Sequence, residues 1–564
     1  MDSHFASNIF PERLDFALIC CYNYYNNIEV RSMSYEVIQK VGRYEYIYLA
    51  DGFRNQDGQV RQKRRSIGKI DPKTGQKVYK PEYLEELRNA GKPIQIPSTQ
   101  TVFSIEDIRK SSVRSYGQFY LFRLLSERLG LTDALRQSIP DYWQELFMLA
   151  CYMISASDPL LYCADWISGT ESYPVGSMTS QRISELLISS TEEQRNEFYR
   201  HWYGANTEDE YLALDITSAS SYSELIDDVE WGYNRDHENL PQINLCMLVG
   251  ETGRLPIYQS LYSGSQKDVR TLTTTLSQFE AITGKRTITV VMDKGFYSKR
   301  NIDYMLKDTG NGPVKFLIAV PFTSAFAKKQ VESERKDIDS VENTIVINGH
   351  SMRAVTKERA WDAHHKIYTH VYYSAKKAMG IREDLYATVA LLREKATENP
   401  EKWLNDEECQ KYLLIRKSDK QDNGYTVNIR TDVVEKSLET AGWVVLISND
   451  VSNAKKAMSI YRDKDVVEKG FHRMKNSIDL GRLRVHGDNA AQGKLFVGFI
   501  ASIIMASINK VMSDKDLYRN YTMKELLRIL AKLRIQEING HSIIAPQTKE
   551  QRMMFEAFDI TLSE

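Results

Sequence analysis

The chain has 564 residues, enough for several domains and a sizeable core. Its 74 Lys and Arg nearly balance 75 Asp and Glu, so no global field draws nucleic acid, and any such binding must come from local patches. The six cysteines (Cys20, Cys21, Cys151, Cys163, Cys246 and Cys409) form no CxxC pair and have no His at ligand spacing, which argues against structural zinc and for a reducing compartment.

In chain order, residues 1–33 lack a basic n-region, and Tyr and Asn break their apolar run, a poor signal peptide. They fit nothing that follows and read as a non-native or disordered extension, with Met33 an alternative start. Region 34–104 opens with the strand pattern YEYIYLADGF, a turn at NQDGQ and then VRQKRRSIGKI, which predicts a β-hairpin. Nine Lys/Arg stand between Phe53 and Lys80 against Asp57 and Asp71. Arg61, Lys63, Arg64 and Arg65 are therefore candidate phosphate contacts, with a solvated turn as the competing reading. Region 105–205 has helical periods, with Gly130 near a helix end, and reads as a helical domain or connector.

From 206 to 321 the pattern changes. YLALDITS, LPQINLCMLVG and LPIYQSLYSG are short strands, DVRTLTTTLSQFEAIT is a helix with Asp268 as N-cap, and TITVVMDKGF and VKFLIAVP are strands. Three strands, helix, strand, strand is the order of a ribonuclease-H-like mixed α/β sheet. Residues 322–440 are polar and irregular with one alternating strand, KIYTHVYYS, and read as a strand-rich insertion splitting that core. Region 441–520 resumes it with the strand GWVVLISND, a charged helix and the apolar run LFVGFIASIIMASI, too short for a bilayer and so a buried core helix. A basic amphipathic helix, TMKELLRILAKLR, opens the C-terminal helical region 521–564.

The charged helix, YRDKDVVEKGFHRMK, is patterned. At about 100° per residue, Tyr461, Lys464, Glu468 and Lys475 fall within roughly 60° of one another. Val467, Phe471, Met474 and Ile478 make an apolar stripe beside them. A solvated face would scatter its charges, so the stripe predicts a metal or an anion above Glu468. Two further carboxylates stand in apolar context: Asp215 inside LALDITS and Asp293 at the end of ITVVMD. A carboxylate there is paired, protonated or metal-bound. Strand-end Asp with a helical Glu suits hard divalent cations, two of which can drive an in-line phosphoryl displacement. Singly, each acid is as readily a buried hydrogen-bonded group, a turn former or a surface residue; Asp465 and Asp479 are weaker substitutes for Glu468, and Asp227 and Asp228 read as a solvated loop.

The pattern Y-x2-[R/K]-x3-E-x6-K at Tyr461, Lys464, Glu468 and Lys475 resembles the YREK signature of bacterial insertion-sequence DDE transposases. LALDITS and VVMDKGFYSKRNID resemble the blocks that hold the family's two Asp, and YSGSQKDVRTL resembles its G-x3-D segment. Intervals of 78 residues from Asp215 to Asp293 and 175 from Asp293 to Glu468 suit a core split by an insertion. Lys464 stands where the family has Arg; it keeps the charge but lacks the bidentate fork.

The resemblance covers about residues 34 to 520. It implies that Asp215, Asp293 and Glu468 bind two Mg2+ ions, which Mn2+ can replace, and that Tyr461, Lys464 and Lys475 contact the transposon-end backbone. His486 in RLRVHGD resembles a family Arg/His segment after the YREK helix, with a DNA contact as one candidate role. Trp361 and Trp403 lie in the insertion, where relatives stack a flipped base, but packing is the better reading of both. Expected partners are DNA, as terminal inverted repeats and target, and a second copy in a homodimer. No membrane is expected, and the location is cytoplasmic, at the nucleoid. The rivals are a non-catalytic domesticated DNA-binding protein, a nuclease without strand transfer, and a glycosidase; the last explains neither the basic stripe nor the strand-end acids.

Overall fold

The computed structural model describes residues 34–42, 44–54, 60–72, 75–89, 104–156, 158–206, 210–418 and 424–562. The expected extension at 1–33 and the turn NQDGQ lie outside them. The chain divides into two compact units, residues 1–106 and 107–564.

The first unit is more than the expected hairpin. It is a four-stranded antiparallel meander of β1 (Ser34–Val41), β2 (Tyr44–Arg54), β3 (Val60–Ile70) and β4 (Lys77–Tyr79). The outer strands lie at opposite ends of the order, yet Lys77 on β4 pairs with Glu36 on β1 at 2.6 Å, so the sheet curls on itself. Its small core holds Ile47, Ala50 and Ile67.

In the second unit β5 (Ser112–Ser115) is followed by helices from Gly117 to Asn206, as expected for that region. Gly130, in a left-handed conformation, separates the helices Gly117–Arg128 and Leu131–Ser138. Then come β6 (Tyr211–Ser220), β7 (Gln242–Gly250), β8 (Pro256–Ser263), β9 (Thr289–Met292) and β10 (Lys315–Ala319). They lie in the order β8-β7-β6-β9-β10, with β6, β9 and β10 parallel and β7 antiparallel to both of its neighbours, which is the ribonuclease-H-like arrangement.

The insertion supplies strands, as expected, but they are not a separate sheet. β11 (Thr344–Ile347), β12 (His350–Ala360) and β13 (Lys366–Tyr373) join the core through β16 (Trp443–Ser448), which lies antiparallel to β10 and β13. The result is one nine-stranded sheet. The irregular reading of 322–440 also misses the 24-residue helix Ala375–Glu398. Most of that helix is exposed, so it shows little apolar period. With β14 (Leu413–Lys417), β15 (Tyr425–Ile429) and the helix Thr431–Leu438 it builds its own small core around Val389, Leu392 and Tyr412.

The apolar run 495–508 lies in a 27-residue helix, Asp488–Asp514, longer than the run suggests. It is long and apolar enough to cross a membrane, but 83% of its most apolar window is buried inside the protein. It packs against the helices Trp143–Ser155 and Ser180–Ser189 and against β8. Its Gly493 lets the Leu187 backbone approach, where any Cβ would collide with the Leu187 carbonyl. The C-terminal region is not wholly helical: β17 (Arg534–Ile538) and β18 (His541–Ile544) form a sheet with β5. The helix Met523–Ala531 ahead of them starts on a Thr522–Glu525 capping box.

Candidate active site

β6 is buried along its length except at Tyr211 and Asp215, which keep partial access to solvent. The parallel register pairs Leu214 with Met292, so Asp215 and Asp293 follow at the same level on adjacent strands. Neighbouring strands lie about 4.8 Å apart, so the topology itself sets two acids side by side. The side chain of Asp215 is 22% exposed, and its Oδ1 accepts the Ile216 N–H at 2.9 Å. Burial pushes its carboxyl up to about 6, against the opposing pull of the Lys464 ammonium and the Ile216 N–H. Asp293 caps the turn Lys294–Phe296, with Oδ1 accepting the Lys294 N–H at 2.6 Å. It is thus both a turn former and an open carboxylate.

The charged helix is not continuous, as the stripe reading assumed. It is two helices, Ala454–Asp463 and Asp465–Ser477, that meet at Lys464. The Val467 N–H reaches back to the Lys464 carbonyl at 3.0 Å, a three-residue step that tightens the chain there. The apolar stripe is as expected: Val467, Phe471, Met474 and Ile478 are buried, and the second helix packs on β6 and β7.

Lys464 is only 5% exposed. Its Nζ lies 2.8 Å from Glu468 Oε1 and 3.8 Å from Asp215 Oδ2. Burial alone would pull this ammonium down, but Asp215 and Glu468 together hold it above the ordinary lysine value. The Tyr461 hydroxyl donates to Asp293 Oδ1 at 3.1 Å, and its own pKa is driven upward by burial and then by that carboxylate. Tyr461 thus holds Asp293, while Lys464 bridges Asp215 and Glu468. Glu468 is the open member, with 57% of its side chain exposed.

Three carboxylates on neighbouring elements are the donor chemistry of a hard divalent cation. Asp215 shows the corresponding cost, a buried carboxyl short of positive charge. The residues fit such an ion by donor type, although among the described residues no group of three or more His, Cys, Asp or Glu stands at metal-holding spacing. Lys464 supplies the positive charge between Asp215 and Glu468.

Other expected site residues lie elsewhere or have other partners. Lys475 leaves the stripe and pairs with Asp236 at 2.5 Å, in the loop between β6 and β7. The neighbouring Arg235 pairs with Asp268 and donates to Ser218 and Asn244 at 3.2 Å. Asp268 is accordingly not the N-cap: Lys267 holds that position, and the Asp268 carboxylate serves Arg235 instead. Arg235 and Asp236 had no sequence signal beyond a polar loop. His486 is exposed, in the loop ahead of Gly487. Trp361 donates to Asp303 at 2.7 Å, and Trp403 sits under Lys395 and Lys402, both packing roles. Asp465 and Asp479 are taken by Lys469 and Arg484. In the first unit Arg65 is held by both oxygens of Glu86 at 2.6 Å, and Arg64 reaches Gln39 and Gln62.

The second unit thus carries two strand acids and one helical acid on a ribonuclease-H-like sheet. Residues 206–504 match the family model described as Transposase DDE domain, more than half of the chain. The chain belongs to this DDE transposase family, whose members are enzymes that act on DNA. Among solved structures it is similar to a piggyBac transposase synaptic complex with hairpin DNA, determined by cryo-EM, at 10% identity and a TM-score of 0.35 over 68% of this chain and 69% of that one. No curated protein matches the chain.

Proposed function

We propose that this protein is the transposase of a bacterial insertion sequence of the YREK type. On this reading it binds the element's terminal inverted repeats, cuts there and joins the end to target DNA. The observation that carries the proposal is that, within the matched domain, Lys464 bridges Asp215 and Glu468 while Tyr461 holds Asp293 at the same level on the adjacent strand.

Asp215, Asp293 and Glu468 would hold two Mg2+ ions, or Mn2+ in their place. When bound, such ions supply an activated attacking oxygen and stabilise the leaving oxygen of a phosphodiester. The chain's own groups set the geometry. β6 and β9 fix two carboxylates on rigid strands, Tyr461 orients Asp293 through its hydroxyl, and Lys464 holds Glu468 toward Asp215. Lys464 offers an ammonium for the scissile phosphate, as a point charge rather than a fork. Lys475 and His486 are assigned to the transposon-end backbone, and Arg61, Lys63, Arg64 and Arg65 to DNA bound by the first unit. The domain assignments follow: 34–104 and 105–205 for DNA, 206–321 with 441–520 for chemistry, 322–440 as insertion and 521–564 as a C-terminal region. The active complex would be a homodimer on DNA at the nucleoid.

The test is incubation with duplexes carrying the element's own ends and Mg2+, read on a denaturing gel. Asp215→Asn, Asp293→Asn and Glu468→Gln should each abolish cleavage and leave end binding largely intact. Near-wild-type cleavage by any one of them removes that residue from the site.

A further inference from the structure

A cavity of about 650 Å3 lies beside the helix Asp465–Ser477, away from the three acids. Lys469 and Arg473 line it, turned roughly 100° and 140° from Glu468 about the helix axis. The turn between β7 and β8 and the end of the helix Asp488–Asp514 close the other sides.

Four cations face this space: Arg254, Arg462, Lys469 and Arg473. Two are already neutralised, Lys469 by Asp465 at 2.5 Å and Arg254 by Asp514 at 3.4 Å. The guanidiniums of Arg462 and Arg473 have no ion pair and no hydrogen bond among the described residues, although both are partly buried. Burial pulls the Arg473 guanidinium below its ordinary value, and no carboxylate offsets that pull. On the acidic side, Glu251 and Asp463 are hydrogen-bonded to each other, and burial with the adjacent Asp463 pushes the Glu251 carboxyl upward. Arg462 and Arg473 are then the two cations of this cavity without a carboxylate partner among the described residues. Arg254 is held in the left-handed region at φ 56°, a conformation a non-glycine residue adopts only when its surroundings impose it. Two unpaired, half-shielded guanidiniums on one wall are built to receive a phosphate, which each can grip through two oxygens.

We propose that this cavity seats a phosphodiester of the DNA backbone, gripped by Arg462 and Arg473, as a contact separate from the three acids. The inference rests on the DNA-processing reading. It adds that DNA is held along two sides of the same helix pair: Arg462 precedes the junction at Lys464 by two residues, and Arg473 follows Glu468 by five.

The test is fluorescence anisotropy of the full chain with a 30-base-pair duplex lacking the element's ends, in EDTA, across a KCl series. Arg462→Ala with Arg473→Ala should weaken binding about tenfold and lower the slope of log K against log salt by roughly 1–2, at about 0.9 per lost phosphate contact. Ser513→Asp adds a negative charge on the exposed wall without removing packing, and should also weaken binding; it decides the matter if the double variant melts early. Arg473→Lys should keep the slope. An unchanged affinity and slope in the folded double variant, while wild type still cleaves element ends, would overturn the cavity assignment alone. No DNA binding by wild type would overturn both readings. A mononucleotide that raises the melting temperature of wild type but not of the double variant, with the DNA slope unchanged, would make this a free-nucleotide site and overturn the DNA assignment.

Discussion

At Asp215 the protein holds a carboxyl whose ionisation burial resists. Its folded pKa of about 6 lies above its ordinary 3.8, so the folded state binds the proton more tightly than the unfolded chain does. The resulting destabilisation is absent below about pH 3.8, grows between the two values and is complete above about 6. Asp215→Asn in EDTA should therefore be more stable than wild type above pH 6, on the order of 1–3 kcal/mol. The gain should vanish near pH 4. Melting curves across this range check it, and a gain that rises as pH falls would show that Asp215 is not resisting ionisation. Lys464 gives a second test at this scale. Lys464→Met leaves Asp215 and Glu468 without their cation, costing about 1–3 kcal/mol. Mg2+ should restore more stability to this variant than to wild type. Equal Mg2+-induced shifts in melting temperature would mean that Lys464 does not stand in for the ion. Asp215 stands out in the sequence by its apolar context, and Glu468 by the stripe of its helix. The role of Lys464 between them was not legible, because it depends on a helix junction that no Gly or Pro marks.

The helix Asp465–Ser477 separates packing from chemistry along its length. Phe471 is buried against the sheet, and Phe471→Ala should cost about 3–5 kcal/mol. Lys475 pairs with the partly exposed Asp236 among the described residues, and its own side chain is 12% exposed, so Lys475→Ala should cost about 1–2 kcal/mol. Thermal melting of the two variants should therefore differ widely; similar losses would make Lys475 a structural residue. The apolar stripe could be read in advance because a 3.6-residue period survives any tertiary context. The partner of Lys475 could not, since Asp236 lies 239 residues earlier in a loop with no period at all. The helix Ala375–Glu398 was missed for the opposite reason: a mostly exposed helix shows too little apolar stripe to reveal itself.

Across the whole molecule, the alternation of strands and helix from 211 to 319 was enough to read the central sheet order. The extension of that sheet by β11, β12 and β13 was not, because pairing through β16 joins segments about 70 residues apart. The curled basic sheet of the first unit offers its own test. Replacing Arg61, Lys63, Arg64 and Arg65 by Ala should lower the salt slope of DNA binding by roughly 0.9 for each lost phosphate contact. Arg65 should contribute least, since Glu86 already holds it. An unchanged slope would return the segment to a solvated surface.

The detour between β10 and β16 also sets a clock. Asp215 and Asp293 leave the ribosome early, but Glu468 is 175 residues behind Asp293. At about 5–20 residues per second, that interval lasts roughly 10–35 seconds. Throughout it the nascent chain owns two acids of three, and the helix that would bring the third does not yet exist. On the proposed reading, cutting ability would arrive only near the end of synthesis, and a message truncated within the insertion would yield a protein able to occupy DNA but not to break it.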